Sequence, residues 1–90
     1  MKIEIKKFGY LLISRPAGKE AFAAAKAYVL PKEDIELDEI ILDFDGVEVL
    51  SPSWADEFIS GLKSACKQAK LSYINTDNQS VKATLEILKG

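Results

Sequence analysis

The chain has 90 residues, of which 48% are hydrophobic and 29% charged, with a formal net charge of −2; these values predict one globular domain over residues 1–90 and exclude a disordered or fibrous chain. The weak negative charge argues against a nucleic-acid partner, and no apolar run reaches the ~20 residues of a membrane span. With no histidine and one cysteine, Ser-His and Cys-His catalytic pairs and an intrachain disulfide are excluded, and a zinc site is disfavoured.

The chain begins with two short strand patterns. Residues 2–6 alternate polar and apolar side chains, which is typical of a half-buried edge strand. Gly9 permits a turn, and the apolar residues 10–13 predict a second strand. We expect the two strands to form an antiparallel hairpin at the edge of the sheet.

The first helix is predicted to begin at Ser14. This residue precedes Arg15 and Pro16, and a hydroxyl followed by a proline is typical of a helix start. The alanine-rich segment that follows favours a helix to about residue 29. Pro31 would end this helix, and residues 32–39 would form a polar loop.

Residues 39–49 predict a central strand, because they are rich in β-branched and apolar side chains. Ser51 would cap a second helix with Pro52 at its first position. This helix carries an apolar stripe that would pack on the sheet, formed by Trp54, Phe58, Leu62, Ala65 and Ala69.

A short strand over residues 71–75 and a last helix that begins at Asn78 or Ser80 complete the predicted elements. Their order is strand-strand-helix-strand-helix-strand-helix. We therefore predict an α/β fold with three helices and about four strands in a mostly parallel sheet, with an antiparallel edge.

One stretch carries only negative charge. Between residues 33 and 48 no basic residue occurs, and the acids are Glu33, Asp34, Glu36, Asp38, Glu39, Asp43, Asp45 and Glu48. Such a run forms either a solvated surface or a face for a basic partner.

Residues 40–47 resemble the nucleophile motif of haloacid-dehalogenase-type phosphatases, a hydrophobic strand followed by Asp-x-Asp-Gly. This resemblance implies that Asp43 attacks a phosphoryl group, that Asp45 is the general acid or base, and that Mg²⁺ bridges them. The larger sheet and the later acidic pair of that family are not found in the residues that follow. The alternative is a turn in which Gly46 adopts a positive φ and the carboxylates are solvated.

A second resemblance covers most of the chain. Small STAS domains, the fold of anti-sigma factor antagonists, have a Leu-Asp-hydrophobic-Ser-x-Val strand and then an Asp-Ser-Ser-Gly segment that opens a helix; residues 42–47 and 51–54 align with these. The chain more closely resembles a STAS-like family of unknown function. Its members have Ser-Arg, Asp-Phe-x-Gly-Val and Ser-x-Ser-Phe-Ala-Asp-Glu segments, matched here by residues 14–15, 43–47 and 51–57.

The resemblance implies a non-catalytic regulatory module that docks on a protein partner, such as a GHKL-type ATPase of the Ser-kinase class. In the antagonists a kinase phosphorylates the first Ser of Asp-Ser-Ser-Gly, where this chain has Pro52. Ser51 and Ser53 remain as neighbouring hydroxyls, and Ser51 either caps the helix or is a modified or ligand-contacting residue. Trp54 is either a core residue or an exposed docking anchor.

We predict a partner surface at the amino end of the second helix, because helix starts and strand ends gather polar groups in α/β folds. It comprises Ser51, Ser53, Asp56 and Glu57, with Arg15 nearby. Arg15 is the only arginine, and its charge opposes the dipole of its helix. It therefore either pairs with Asp43, Asp56 or Glu57, or binds a phosphate or a partner carboxylate.

The sequence thus favours a cytoplasmic STAS-like interaction module that has no catalytic residues and needs no cofactor or metal. No signal-peptide pattern occurs at its start. Two alternatives stay open. One is a Mg²⁺-dependent phosphohydrolase that uses Asp43 and Asp45, and the other is a small-ligand or nucleotide sensor that binds at the amino end of the second helix.

Overall fold

The computed structural model describes residues 1–30 and 38–89, which form five short strands and three helices. The strands are β1 (Lys2–Glu4), β2 (Leu11–Leu12), β3 (Glu39–Asp43), β4 (Val49–Leu50) and β5 (Lys70–Ile74). The helices are α1 (Arg15–Tyr28), α2 (Pro52–Ala65) and α3 (Gln79–Lys89). The predicted α/β class and the three helices are confirmed. The predicted helix stop at Pro31 and most of the following acidic loop lie outside the described residues.

The strands form two parallel sheets, so the prediction of a single four-stranded sheet is wrong. β3 lies between β1 and β5 in one sheet, and β2 pairs with β4 in the other. The predicted strand over residues 39–49 is interrupted by a turn in which the Val47 amide donates to the Phe44 carbonyl at 3.1 Å. Gly46 has a φ of 84° in this turn, a value that glycine adopts without a steric cost.

The predicted antiparallel hairpin between β1 and β2 is also wrong. A 3-10 helix over Ile5–Phe8 follows β1 directly, and Gly9, with a φ of 131°, connects it to β2. The chain therefore does not reverse direction between β1 and β2. Instead, β1 pairs with β3 and β2 pairs with β4, each in parallel. Ile3 lies opposite Leu42, and Leu12 lies opposite Leu50.

The core lies between the sheets and the helices, as the apolar patterns predict. Ile40 and Leu42 of the middle strand are fully buried, and Phe44, just beyond β3, is 3% exposed. The central position predicted for this segment is confirmed. α2 contributes its apolar stripe to the same core through Trp54, Ala55, Phe58, Ile59 and Leu62. None of the described helices is long and apolar enough to cross a bilayer.

α3 closes the outer edge of β4. Its start is capped by Asn78, whose side-chain oxygen accepts a hydrogen bond from the Val81 amide at 3.1 Å. Of the two predicted starts, Asn78 and Ser80, the structure therefore has Asn78. Ser80 accepts a hydrogen bond from the Leu50 amide at 2.9 Å, and the Thr84 hydroxyl donates to the Leu50 carbonyl. These side chains replace a neighbouring strand, so this edge is not free to pair.

Candidate functional site

The starts of α1 and α2 lie side by side because β2 and β4, which lead into them, are parallel neighbours. Ser51 joins the two: its hydroxyl donates to the Ile13 carbonyl and accepts from the Trp54 amide at 3.1 Å. Ser14 caps α1 in the same way, accepting from the Ala17 amide at 3.2 Å. The capping role predicted for Ser51 is therefore observed, and its one hydroxyl hydrogen is used in the bond to Ile13.

Arg15 takes two of its three predicted partners. Its Nη1 atom donates to Asp56 Oδ2 at 3.0 Å and to Glu57 Oε1 at 3.1 Å. These hydrogen bonds raise the pKa of Arg15, and the bond from Arg15, helped by one from Ser60, lowers the pKa of Asp56. Arg15 and Asp56 are therefore both charged at neutral pH. The acids offset the charge that Arg15 places at the positive end of α1.

The structure places Arg15 near the other four predicted site residues, which are the α2 cap Ser51 and three residues of α2, Ser53, Asp56 and Glu57. Arg15 is exposed, whereas Ser51, Ser53, Asp56 and Glu57 are half-buried. Ser53 forms no side-chain hydrogen bond with any described residue. The group therefore presents charge of both signs, with one uncommitted hydroxyl, at the edge where both helices begin.

Sequence reasoning missed an apolar patch on the strands that lead into these helix starts. Leu11 is 61% exposed, Ile13 is 54% exposed and Val49 is 37% exposed. Leu11 and Val49 lie opposite each other on β2 and β4, while the alternate residues Leu12 and Leu50 are buried. A signal was available, because three consecutive apolar residues in a strand cannot all face one side.

Asp43 belongs to a different cluster, at the carboxyl ends of β3 and β5. Its Oδ1 atom accepts from the Asn75 side-chain amide at 2.8 Å and from the Asp45 amide at 3.0 Å. Its Oδ2 atom lies 3.3 Å from Lys2 Nζ. Asn75 has a φ of 56°, a conformation that asparagine tolerates better than most residues. Asp43 therefore links two strands and the turn that contains Gly46.

This geometry limits the chemistry of the Asp-x-Asp-Gly segment. Asp43 is only 6% exposed, and both of its oxygens are engaged by protein groups. Asp45 and Gly46 are exposed, as the turn interpretation predicts, but its prediction of solvated carboxylates is wrong for Asp43, which is buried. In residues 1–30 and 38–89, no group of three or more acids or thiols is arranged to hold a metal ion.

Replacing Asp43 with asparagine is expected to lower the free energy of unfolding by about 1–2 kcal/mol at neutral pH, because charge-assisted hydrogen bonds are weakened. The bonds from Asn75 and from the Asp45 amide, and then Lys2, lower the pKa of Asp43 below its ordinary 3.8. A pKa lowered by folding adds stability that is complete above the ordinary value and is lost as the pH falls through the folded value. The stability difference between wild type and the variant should therefore shrink below about pH 4.

Urea denaturation at neutral and acidic pH measures this difference, with the exposed neighbour Asp45→Asn as the control. Asp45→Asn should change stability little at either pH. A loss for Asp43→Asn that is equally large at acidic pH would contradict the role given to the ionised carboxylate.

One family of known proteins matches the chain. Its sequence model, described as a STAS-like domain of unknown function, matches residues 27–81, which include the segments 43–47 and 51–57 but not Ser14 or Arg15. No curated protein and no solved structure gives a significant match. Because the match extends over more than half of the chain and over β3, β4, α2 and β5, the protein belongs to this family of STAS-like domains.

Proposed function

We propose that this STAS-like domain is a non-catalytic regulatory module that binds a protein partner at the paired starts of α1 and α2. The observation that carries the proposal is the exposed apolar patch on the strands that lead into the helix starts where Arg15 forms its ion pairs. We call this region the docking surface; it comprises Leu11, Ile13, Val49, Arg15, Ser51, Ser53, Asp56 and Glu57.

The composition of the docking surface supports protein binding. Interfaces between proteins combine an apolar centre with a polar rim, and contiguous exposed apolar side chains are uncommon on surfaces without partners. Leu11, Ile13 and Val49 would form the centre, and Arg15, Asp56 and Glu57 the rim. The rim carries both signs of charge, so it can orient a partner without strong repulsion.

The partner proposed is a GHKL-type ATPase of the Ser-kinase class, the kind of protein that STAS antagonists bind. Regulation by phosphorylation would differ from that of the antagonists. A phosphate on Ser51 would remove the hydroxyl hydrogen that is donated to the Ile13 carbonyl, and Asp56 and Glu57 would repel the phosphate. Ser53 is the hydroxyl whose modification would cost no observed hydrogen bond.

No observation in the described part of the chain favours the phosphohydrolase alternative. An attacking carboxylate needs an accessible oxygen, and both oxygens of Asp43 are hydrogen-bonded or ion-paired. The bonds to Asn75 and to the Asp45 amide instead give Asp43 a structural role.

Replacing Ile13 with glutamine is expected to weaken partner binding about five- to tenfold, the effect of removing an apolar contact worth roughly 1 kcal/mol or more. The tagged domain captures its partner from cells that express it, and the affinity of the purified partner is then measured for each variant. Ile87→Gln is the matched control, because Ile87 is 62% exposed on α3 and is not part of the docking surface.

A double variant, Asp56→Lys with Glu57→Lys, tests the rim in the same assay, with the exposed Glu20→Lys as its control. The double variant should give the wild-type circular dichroism spectrum and should bind the partner more weakly than the wild type does. Wild-type affinity in both the Ile13 and the double variant would overturn the docking surface. A captured partner that is not a GHKL-type ATPase would overturn the proposed partner class.

A further inference from the structure

A groove of about 500 Å³ lies between α2 and α3, over Tyr73 of the edge strand β5. It is separate from the docking surface, whose residues do not line it. Its volume lies within the range of small-molecule sites in proteins. It is also not at the amino end of α2, where the sequence suggested a ligand.

One part of the groove is apolar. Ile59 of α2 is buried, while Leu85 and Leu88 of α3 are half-buried and pack against the core. Tyr73 lies against them, 38% exposed, and burial raises the pKa of its hydroxyl. The hydroxyl is therefore protonated at neutral pH and can donate a hydrogen bond.

The rim of the groove is mainly cationic. Lys63, Lys82 and Lys89 line it with a single acid, Glu86. Among the described residues none of these lysines forms an ion pair. Lys63 and Lys89 lie in the last turns of their helices, where a positive charge favours the helix dipole. Lys82 lies near the start of α3, where it gains no such benefit.

We propose that this groove binds a small amphipathic organic anion, namely a carboxylate on an alkyl or aryl body. The apolar body would lie on Ile59, Leu85 and Leu88, and the carboxylate would lie near Lys82 with the hydroxyls of Thr76 and Tyr73 as donors. Charge complementarity selects this class, because three lysines against one acid disfavour a cation and a buried apolar floor disfavours a fully polar ion. The site is independent of the proposed partner binding.

Decanoate is a suitable probe, with decanol and decylamine as matched molecules of the same chain length. In a methyl NMR titration of the full chain, below the micellar concentration of each probe, decanoate should shift the resonances of Ile59, Leu85 and Leu88. Decanol should bind more weakly, and decylamine weakest of all. Lys82→Gln should weaken decanoate binding about two- to fivefold, the worth of one partly exposed ion pair.

Lys26→Gln is the control variant, because Lys26 is exposed on α1 and does not line the groove. It should bind decanoate as the wild type does. Shifts confined to methyl groups outside the groove would overturn the proposal, as would equal affinity for decanoate and decylamine. Loss of decanoate binding in a folded Leu85→Glu variant, with decanoate binding retained in Ile87→Glu, would support it independently of Lys82.

Discussion

Replacing Trp54 with alanine is expected to lower the free energy of unfolding by about 3–5 kcal/mol, the usual cost of truncating a large buried aromatic side chain. Trp54 is 2% exposed. Its ring stacks on Phe58 with centroids 5.0 Å apart and planes 14° apart, and Phe8 lies within 6.3 Å. Since a domain of this size has a total stability of roughly 5–15 kcal/mol, the loss would be a large fraction of it.

Urea denaturation followed by far-ultraviolet circular dichroism measures this loss, with Tyr28→Ala as the control. Tyr28 is 88% exposed, so its truncation should change stability little. Trp54→Phe keeps most of the ring contacts and should lower the free energy of unfolding by less than about 2 kcal/mol. This variant can still be measured if the alanine variant does not fold. Because Trp54 is buried, its interpretation as an exposed docking anchor is wrong, and a Trp54→Ala variant of wild-type stability would contradict its role in the core.

Replacing Gly18 with alanine is expected to lower the free energy of unfolding by about 1–3 kcal/mol, because the added methyl group overpacks the contact between α1 and α2. A Cβ atom at this position would lie 2.5 Å from the Trp54 carbonyl oxygen and 2.9 Å from its Cα. Both are backbone atoms, so neither can move away without separating the helices. In an open helix the same change normally stabilises by about 1 kcal/mol, so the expected sign is reversed.

Gly61→Ala is the control for this prediction, because it also adds a methyl group at the contact between α1 and α2, but against a side chain instead of backbone. A Cβ atom there would meet the Phe22 ring at 2.6 Å, but Phe22 is only half-buried and its side chain can rotate. Gly61→Ala should therefore cost less than Gly18→Ala in the same denaturation experiment. A Gly18→Ala variant more stable than the wild type would show that the two helices are not held at this distance.

Features that depend on neighbours within one helical turn could be predicted from the sequence. The caps by Ser14 and Ser51 are bonds to amides three residues later, and proline follows each cap closely. The buried face of α2 repeats with the helical period, and the buried middle strand is a run of apolar residues. The positions of these elements, and the family resemblance built on the segments 43–47 and 51–57, therefore followed from local patterns.

Strand pairing could not be predicted in this way. Whether β1 pairs with β2 or with β3 depends on the path of the chain over residues 5–9, and a 3-10 helix and a turn leave similar sequence signals. The break between β3 and β4 was predicted only as one of two alternatives, because an Asp-Gly pair inside an apolar run is compatible with either a strand or a turn.

The candidate site was only partly predictable, for a related reason. The sequence placed Arg15 near an acid but offered three of them, and packing of α1 beside α2 selected Asp56 and Glu57. The motif resemblance implies a catalytic role for Asp43, and its structural role could not be predicted because the residue that anchors it, Asn75, lies 32 residues later. The exposure of Leu11 and Ile13 had a signal in the run of apolar residues, whereas the groove between α2 and α3 exists only once the helices are packed. Hydrogen bonds between residues a few positions apart, and the periodic spacing of apolar residues, can be read from the local sequence. Burial cannot, because it depends on which distant segments pack against each face of a helix or strand.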